Sequence, residues 1–203
     1  MSKNVYYRRN ETGAFIIKDL IYRCLMDNND LIRREIMNHP NLDENNIRIA
    51  LKDEDSDIRI KAAQHSNATE ENLEQAINDS CLFVKEAAIN NINASKKIID
   101  LALKSHFSRI RLLAIQHKNS DENHISTALT DRDINVRIEA VKHPKFSEKH
   151  VDYVISDQDY ELMRKVSESE KFNIEHIRLM MQLPDVIKRL IASKKIINHR
   201  FAE

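Results

Sequence analysis

The stretch Asp57–Asn67 reads DIRIKAAQHSN, and Asn135–Lys145 reads NVRIEAVKHPK. The two lie three times 26 residues apart, and the interval between them carries the same pattern. Starts at Ile32, Ile58, Val84, Ile110, Val136 and Leu162 are all aliphatic. Four residues on stand Ile36, Ala62, Ala88, Ala114, Ala140 and Val166. A later column reads Ile47, Leu73, Ile99, Ile125, Val151 and Ile177, followed three residues on by Ala50, Ala76, Ala102, Ala128, Val154 and Met180. Self-similarity at a fixed period of this length is the signature of stacked supersecondary units.

Each unit is predicted to hold two helices. The second opens after Asp43, Thr69, Ser95, Asp121, Ser147 or Asn173, whose side-chain oxygens suit an N-cap. The first opens after an Asp such as Asp55, Asp133 or Asp159 and stops near the "HP" or "HS" step. Apolar residues spaced by three and four give each helix one face to bury, and the alanines let helices approach closely. One unit cannot cover its own apolar face, so neighbours must stack on it.

The expected fold is therefore all-α: a right-handed α-solenoid of about six 26-residue two-helix repeats over residues 32–185, forming a single domain across 1–203. Residues 1–31 and 186–203 are expected to be degenerate caps. Phe15 to Met26 fits the second helix of a preceding unit, with Ile21 and Leu25 on the core columns. After Pro184 another unit begins two residues early and looks truncated.

Composition narrows the function. There is one Gly, which excludes a Gly-rich phosphate loop. Lys plus Arg and Asp plus Glu both number 32, so the chain lacks the excess positive charge of a DNA-coating protein. The start, MSKNVYYRRN, has no apolar signal region, and no apolar run reaches membrane-spanning length. The expectation is a cytoplasmic protein with no membrane contact, no cofactor, no metal and no small-molecule substrate.

Charged residues form columns too. Asp27 and Arg33 are six apart, as are Asp53 and Arg59, Asp79 and Lys85, and Asp131 and Arg137. An Asp closing one unit and a "VR" opening the next resembles HEAT-type repeats. The phrase VRIEAVKHPKFSEKHVDYVISDQD, Val136–Asp159, is similar to the leucine-rich repeat variant, a short all-helical relative. The resemblance covers about Leu20 to Ala192. It implies the architecture and leaves function open, because such solenoids serve many tasks, duplex DNA gripping and glycosylase chemistry among them. Ser105 in the Asp column and Met163 in the Arg column depart from the pattern. The basic column reads either as a phosphate rail or as a brace between units. An Asp at matched spacing for each Arg favours the brace.

The histidines form two columns, His39, His65, His117 and His143, and His124, His150 and His176. Successive layers lie roughly 8–10 Å apart, and zinc ligands must each come within about 2.0–2.1 Å of one ion. One histidine per layer therefore cannot build a metal site, and both columns read as turn chemistry. Cys24 is expected to be buried. Cys81 lies in a turn, and no partner for a nucleophile is identifiable by spacing. No enzyme is expected.

Two kinds of partner remain. A protein-binding scaffold or adaptor, inhibiting or recruiting one partner, would use the concave face of the array. Ile49, Leu101, Tyr153 and Leu179 share a column beside the core face and would anchor such a partner. A nucleic-acid binder would use the central basic zone through Lys96, Lys97, Lys104, Arg109 and Arg111. Only Phe83 and Phe107 stand near that zone for base stacking. The third unit also breaks the columns, with Ser105 for Asp, Asn91 for His and Ile98 in a polar column.

Overall fold

The computed structural model describes residues 11–156 and 159–198, which form fourteen α-helices and no strand. The chain divides into two compact units between Ile98 and Ile99. Unit 1 holds α1 (Glu11–Leu25), α2 (Asp30–Ile36), α3 (Glu44–Ala50), α4 (Ser56–Gln64), α5 (Glu70–Ile77) and α6 (Leu82–Asn90). The division falls inside α7 (Lys96–Leu103). Unit 2 holds α8 (Ser108–Gln116), α9 (Glu122–Leu129), α10 (Ile134–Lys142), α11 (Glu148–Ser156), α12 (Tyr160–Ser167), α13 (Ile174–Gln182) and α14 (Val186–Asn198).

Helix starts keep the 26-residue interval. First helices open at residues 30, 56, 82, 108, 134, 160 and 186, and second helices at 44, 70, 96, 122, 148 and 174. The expected early start after Pro184 is corrected here: Val186 stands 26 residues after Tyr160, in step with the rest. Asp185 explains the start, since its side chain accepts the amides of Ile187 and Lys188. The same chemistry opens other helices. Asn29, Asp55, Asp133 and Asp159 cap α2, α4, α10 and α12, and Asp43, Thr69, Asp121 and Asn173 cap α3, α5, α9 and α13.

In unit 1, α2, α4 and α6 lie side by side in one layer and α1, α3 and α5 in the other, with α1 on α2, α3 on α4 and α5 on α6. Unit 2 repeats the arrangement, with α8, α10, α12 and α14 in sequence and α9, α11 and α13 against them. The fold is thus all-α and repeat-like. The columns build its core: Ile58, Val84, Ile110, Val136 and Leu162 are fully buried, and so are the small residues Ala62, Ala88, Ala114 and Ala140. Cys24 departs from expectation. It is half-buried rather than buried, and among the described helices of its layer α1 packs on α3.

Side chains also join layers through the backbone. The Asn67 amide donates to the carbonyls of Pro40 and Leu42 (2.9 and 3.0 Å), and Asn93 to those of Ser66 and Ala68 (2.8 and 2.9 Å). Asn91 donates to Ala63 and His65, and Asn72 to Glu44. In unit 2, Lys145 and Lys188 reach the carbonyls of Ser120 and Ile155. Such bonds satisfy carbonyls left over where helices end.

Candidate interaction surfaces

The charged columns form an internal ladder. Arg33 donates through Nε and Nη2 to the Asp53 carboxylate (2.7 and 3.0 Å) and through Nη1 to the Asp27 carbonyl (2.9 Å). Arg59 repeats this with Asp79 (2.8 and 3.2 Å) and the Asp53 carbonyl (2.8 Å). Arg111 does so with Asp131 (2.6 and 2.8 Å) and the Ser105 carbonyl (2.9 Å), and Arg137 with Asp159 (2.8 Å) and the Asp131 carbonyl (2.7 Å). The residue six before an arginine, an acid in three of these four rungs and Ser105 in the other, therefore lends its main chain. The carboxylate comes from the acid twenty or twenty-two residues after. Bonding to these carboxylates raises Arg33, Arg59 and Arg111 above the usual guanidinium pKa.

Sequence spacing alone does not separate the two acids, since residues at minus six and plus twenty belong to one 26-residue column. A signal was nevertheless there. Arg111 keeps its guanidinium although Ser105 stands six before it, and Lys85, with Ser105 twenty after it, has lost its own. Lys85 spends its ammonium on the Ile77 carbonyl (2.8 Å), and burial pushes its pKa down against the pull of Asp79.

The central basic zone is largely engaged. Arg111 is buried in its rung, and Lys97, although exposed, bridges to Glu74, which raises its pKa. Lys96 and Lys97 belong to unit 1, whereas Lys104, Arg109 and Arg111 belong to unit 2, and Lys96, Lys104 and Arg109 are exposed. Of the apolar column, Ile49 in unit 1 and Leu101 in unit 2 are half-buried, and Tyr153 and Leu179 in unit 2 are exposed.

Both histidine columns are occupied by backbone. Nδ1 of His39, His65 and His117 accepts the amide of Asn41, Asn67 and Asn119, and that of His143 accepts the amide of Lys145. Nδ1 of His124, His150 and His176 accepts the amides of Asp121, Ser147 and Asn173, at the third position of their helices. Burial lowers the pKa of His117, His143 and His150. Among the described residues no group of three or more His, Cys, Asp or Glu side chains could hold a metal ion. No described helix is long and apolar enough to cross a membrane.

An apolar surface that sequence reasoning missed lies on α6 and the turn after it. Phe83 is 62% exposed and Ile92 70% exposed. They border a groove of about 540 Å³ between α4 and α6, lined also by Ile60, Glu86, Ala87 and Asn91. The column Ile49, Leu101, Tyr153 and Leu179 lies instead on the second helices, beside their buried face. One interval earlier the same two places hold the polar residues Asp57 and Ser66, and that local contrast was the available signal.

No protein-family model matches the chain, and a search of the curated proteins finds no match.

Proposed function

We propose that the chain is a non-enzymatic scaffold or adaptor that binds another protein and so inhibits or recruits it. The observation carrying this reading is the Phe83–Ile92 groove. Two large apolar side chains left mostly in water, beside a cleft rimmed by polar residues such as Gln64, Ser66 and Glu86, have the character of an interface anchor. The architecture we infer is the HEAT-like or leucine-rich-repeat-variant solenoid, right-handed, with six repeats in one domain, supported by the constant spacing of helix starts. Two free cysteines fit a reducing compartment such as the cytoplasm.

The alternative, a phosphate grip by the central basic zone, has less support. Two of its five cations, Lys97 and Arg111, already hold carboxylates. The test is capture from the native lysate by immobilised protein, with and without nuclease, comparing wild type with the F83D/I92D double variant. One stoichiometric protein that survives nuclease and is lost with the double variant is the expected result. Recovery that vanishes with nuclease, or a partner held equally by F83D/I92D, would overturn the reading.

A further inference from the structure

The described chain opens and closes on half a layer. α14 is a first helix by position, packed on α12 and α13 as α10 is packed on α8 and α9, and no second helix follows it among the described residues. α1 is a second helix by position. Ile21 and Leu25 stand 26 residues before Ile47 and Leu51 and are buried like them, and α1 packs on α2 and α3 as α3 packs on α4 and α5. Residues 11–17 are helical, although 37–43, one interval later, form the turn between helices.

Each half leaves apolar surface uncovered that is covered elsewhere. Leu20 on α1 is 43% exposed, and Asn72 at the matching place on α5 is 1% exposed. Met181 on α13 is 42% exposed, and its counterparts Leu129 and Ile155 are at most 2% exposed.

The ladder has matching open ends. The Asp27 carboxylate accepts the Asn29 amide at 2.8 Å, just as Asp53, Asp79 and Asp131 accept the amides of Asp55, Cys81 and Asp133. Those three acids each hold an arginine as well, and among the described residues none reaches Asp27. At the other end, Arg189 donates Nη1 to the Leu183 carbonyl at 2.8 Å, six residues before it, as the rung arginines do. Among the described residues no carboxylate meets it. Both groups are thus held in the posture of a rung, each lacking the other's charge.

We propose that the chain associates head to tail with a second copy of itself, α14 of one copy and α1 of the next forming one complete layer. Arg33 on α2 and Asp53 after α3 make a rung, and Arg189 on α14 and Asp27 after α1 of the next copy take the same two places. The joint covers Leu20 and Met181 and pairs the open charges. Because the two surfaces differ, it is a heterologous contact, and a pair made by one joint still carries one free surface of each kind.

The test is mass measurement of the full chain, by light scattering and sedimentation equilibrium, over a concentration series. The expected result is a mean mass that climbs in steps of 23.8 kDa. D27A and R189A each weaken association by at least about thirtyfold, the effect of truncating one partner of a hydrogen-bonded charge pair. An equimolar mixture of the two variants has one intact joint and stops at the dimer. Where either alanine variant loses helicity by circular dichroism, D27N and R189K replace it. F83D/I92D associates like wild type, which keeps this inference separate from the proposed partner surface. A monomer at every concentration into the millimolar range, association indifferent to both substitutions, or a mixture that grows past the dimer would overturn it.

Discussion

Unit 1 closes its second helices with asparagine, and unit 2 closes them with histidine. Asn46 and Asn72 accept the amides of Asp43 and Thr69 at 3.0 and 3.2 Å. His124, His150 and His176 accept theirs at 2.9, 3.0 and 3.0 Å. Two of these imidazoles also stack on a phenylalanine four residues earlier, Phe146 on His150 at 5.4 Å and Phe172 on His176 at 5.5 Å. An orphan amide at a helix start needs an acceptor within reach and is indifferent to its chemistry. Acid is not indifferent. An imidazole accepts at Nδ1 only while that nitrogen is unprotonated.

The largest effect should come from the ladder that both units share. Arg111→Ala leaves the buried Asp131 carboxylate without its cation and should cost about 3–5 kcal/mol by urea unfolding. Lys85→Ala removes a single bond to a carbonyl and should cost about 0.5–1.5 kcal/mol. Equal losses would mean that the rung is no stronger than its gap.

Acidification should then separate the units. Burial holds His150 below its unfolded pKa, outweighing the pull of Glu122, and Lys149 acts in the same sense as burial. Above about pH 6.5 the group is neutral folded and unfolded. As pH falls below that, the unfolded chain takes the proton more readily and stability is lost. His117 and His143, also in unit 2, act in the same direction. Hydrogen exchange between pH 7.5 and 5.5 should show unit 2 losing protection before unit 1, and His150→Asn should reduce the difference. Unit 1 has turn histidines of its own, His39 and His65, so the contrast is one of degree.

Smaller still is the cap. Thr69→Ala should cost about 1 kcal/mol, read from the thermal midpoint, and a similar loss for Asp121→Ala would show that the two boxes are energetically alike. The smallest effect belongs to the exposed bridge between Lys149 and Glu122, which solvent screens. Glu122→Gln should change stability little, and any change should fade as salt is raised.

Helix positions were legible because each is written locally. Asp43, Thr69, Asp121 and Asn173 cap where an oxygen-bearing side chain precedes an apolar period. The partner of each ladder arginine was not, because a strict period makes every column member equivalent until packing chooses among them. Phe83 and Ile92 were obscured for another reason. Periodicity identifies the residues that neighbours must bury, and a site left open to solvent obeys no such requirement. Charge counts along a chain ignore the carboxylates that folding brings alongside, such as Asp131 beside Arg111.

The asparagine bonds between layers all run one way. Asn67, Asn72, Asn91 and Asn93 donate to carbonyls 25–28 residues nearer the N-terminus. A chain leaving the ribosome thus presents acceptors first, and each newly made layer brings the donors that fit them. Loss of layers also becomes unequal in its consequences. As far as these bonds go, trimming from the C-terminal side strands carbonyls, which tolerate being left unpaired. Trimming from the N-terminal side strands buried amide groups such as that of Asn91, which tolerate it poorly. The asparagine bonds thus run against the ladder, whose arginines donate toward the C-terminus, and the layers are tied in both directions.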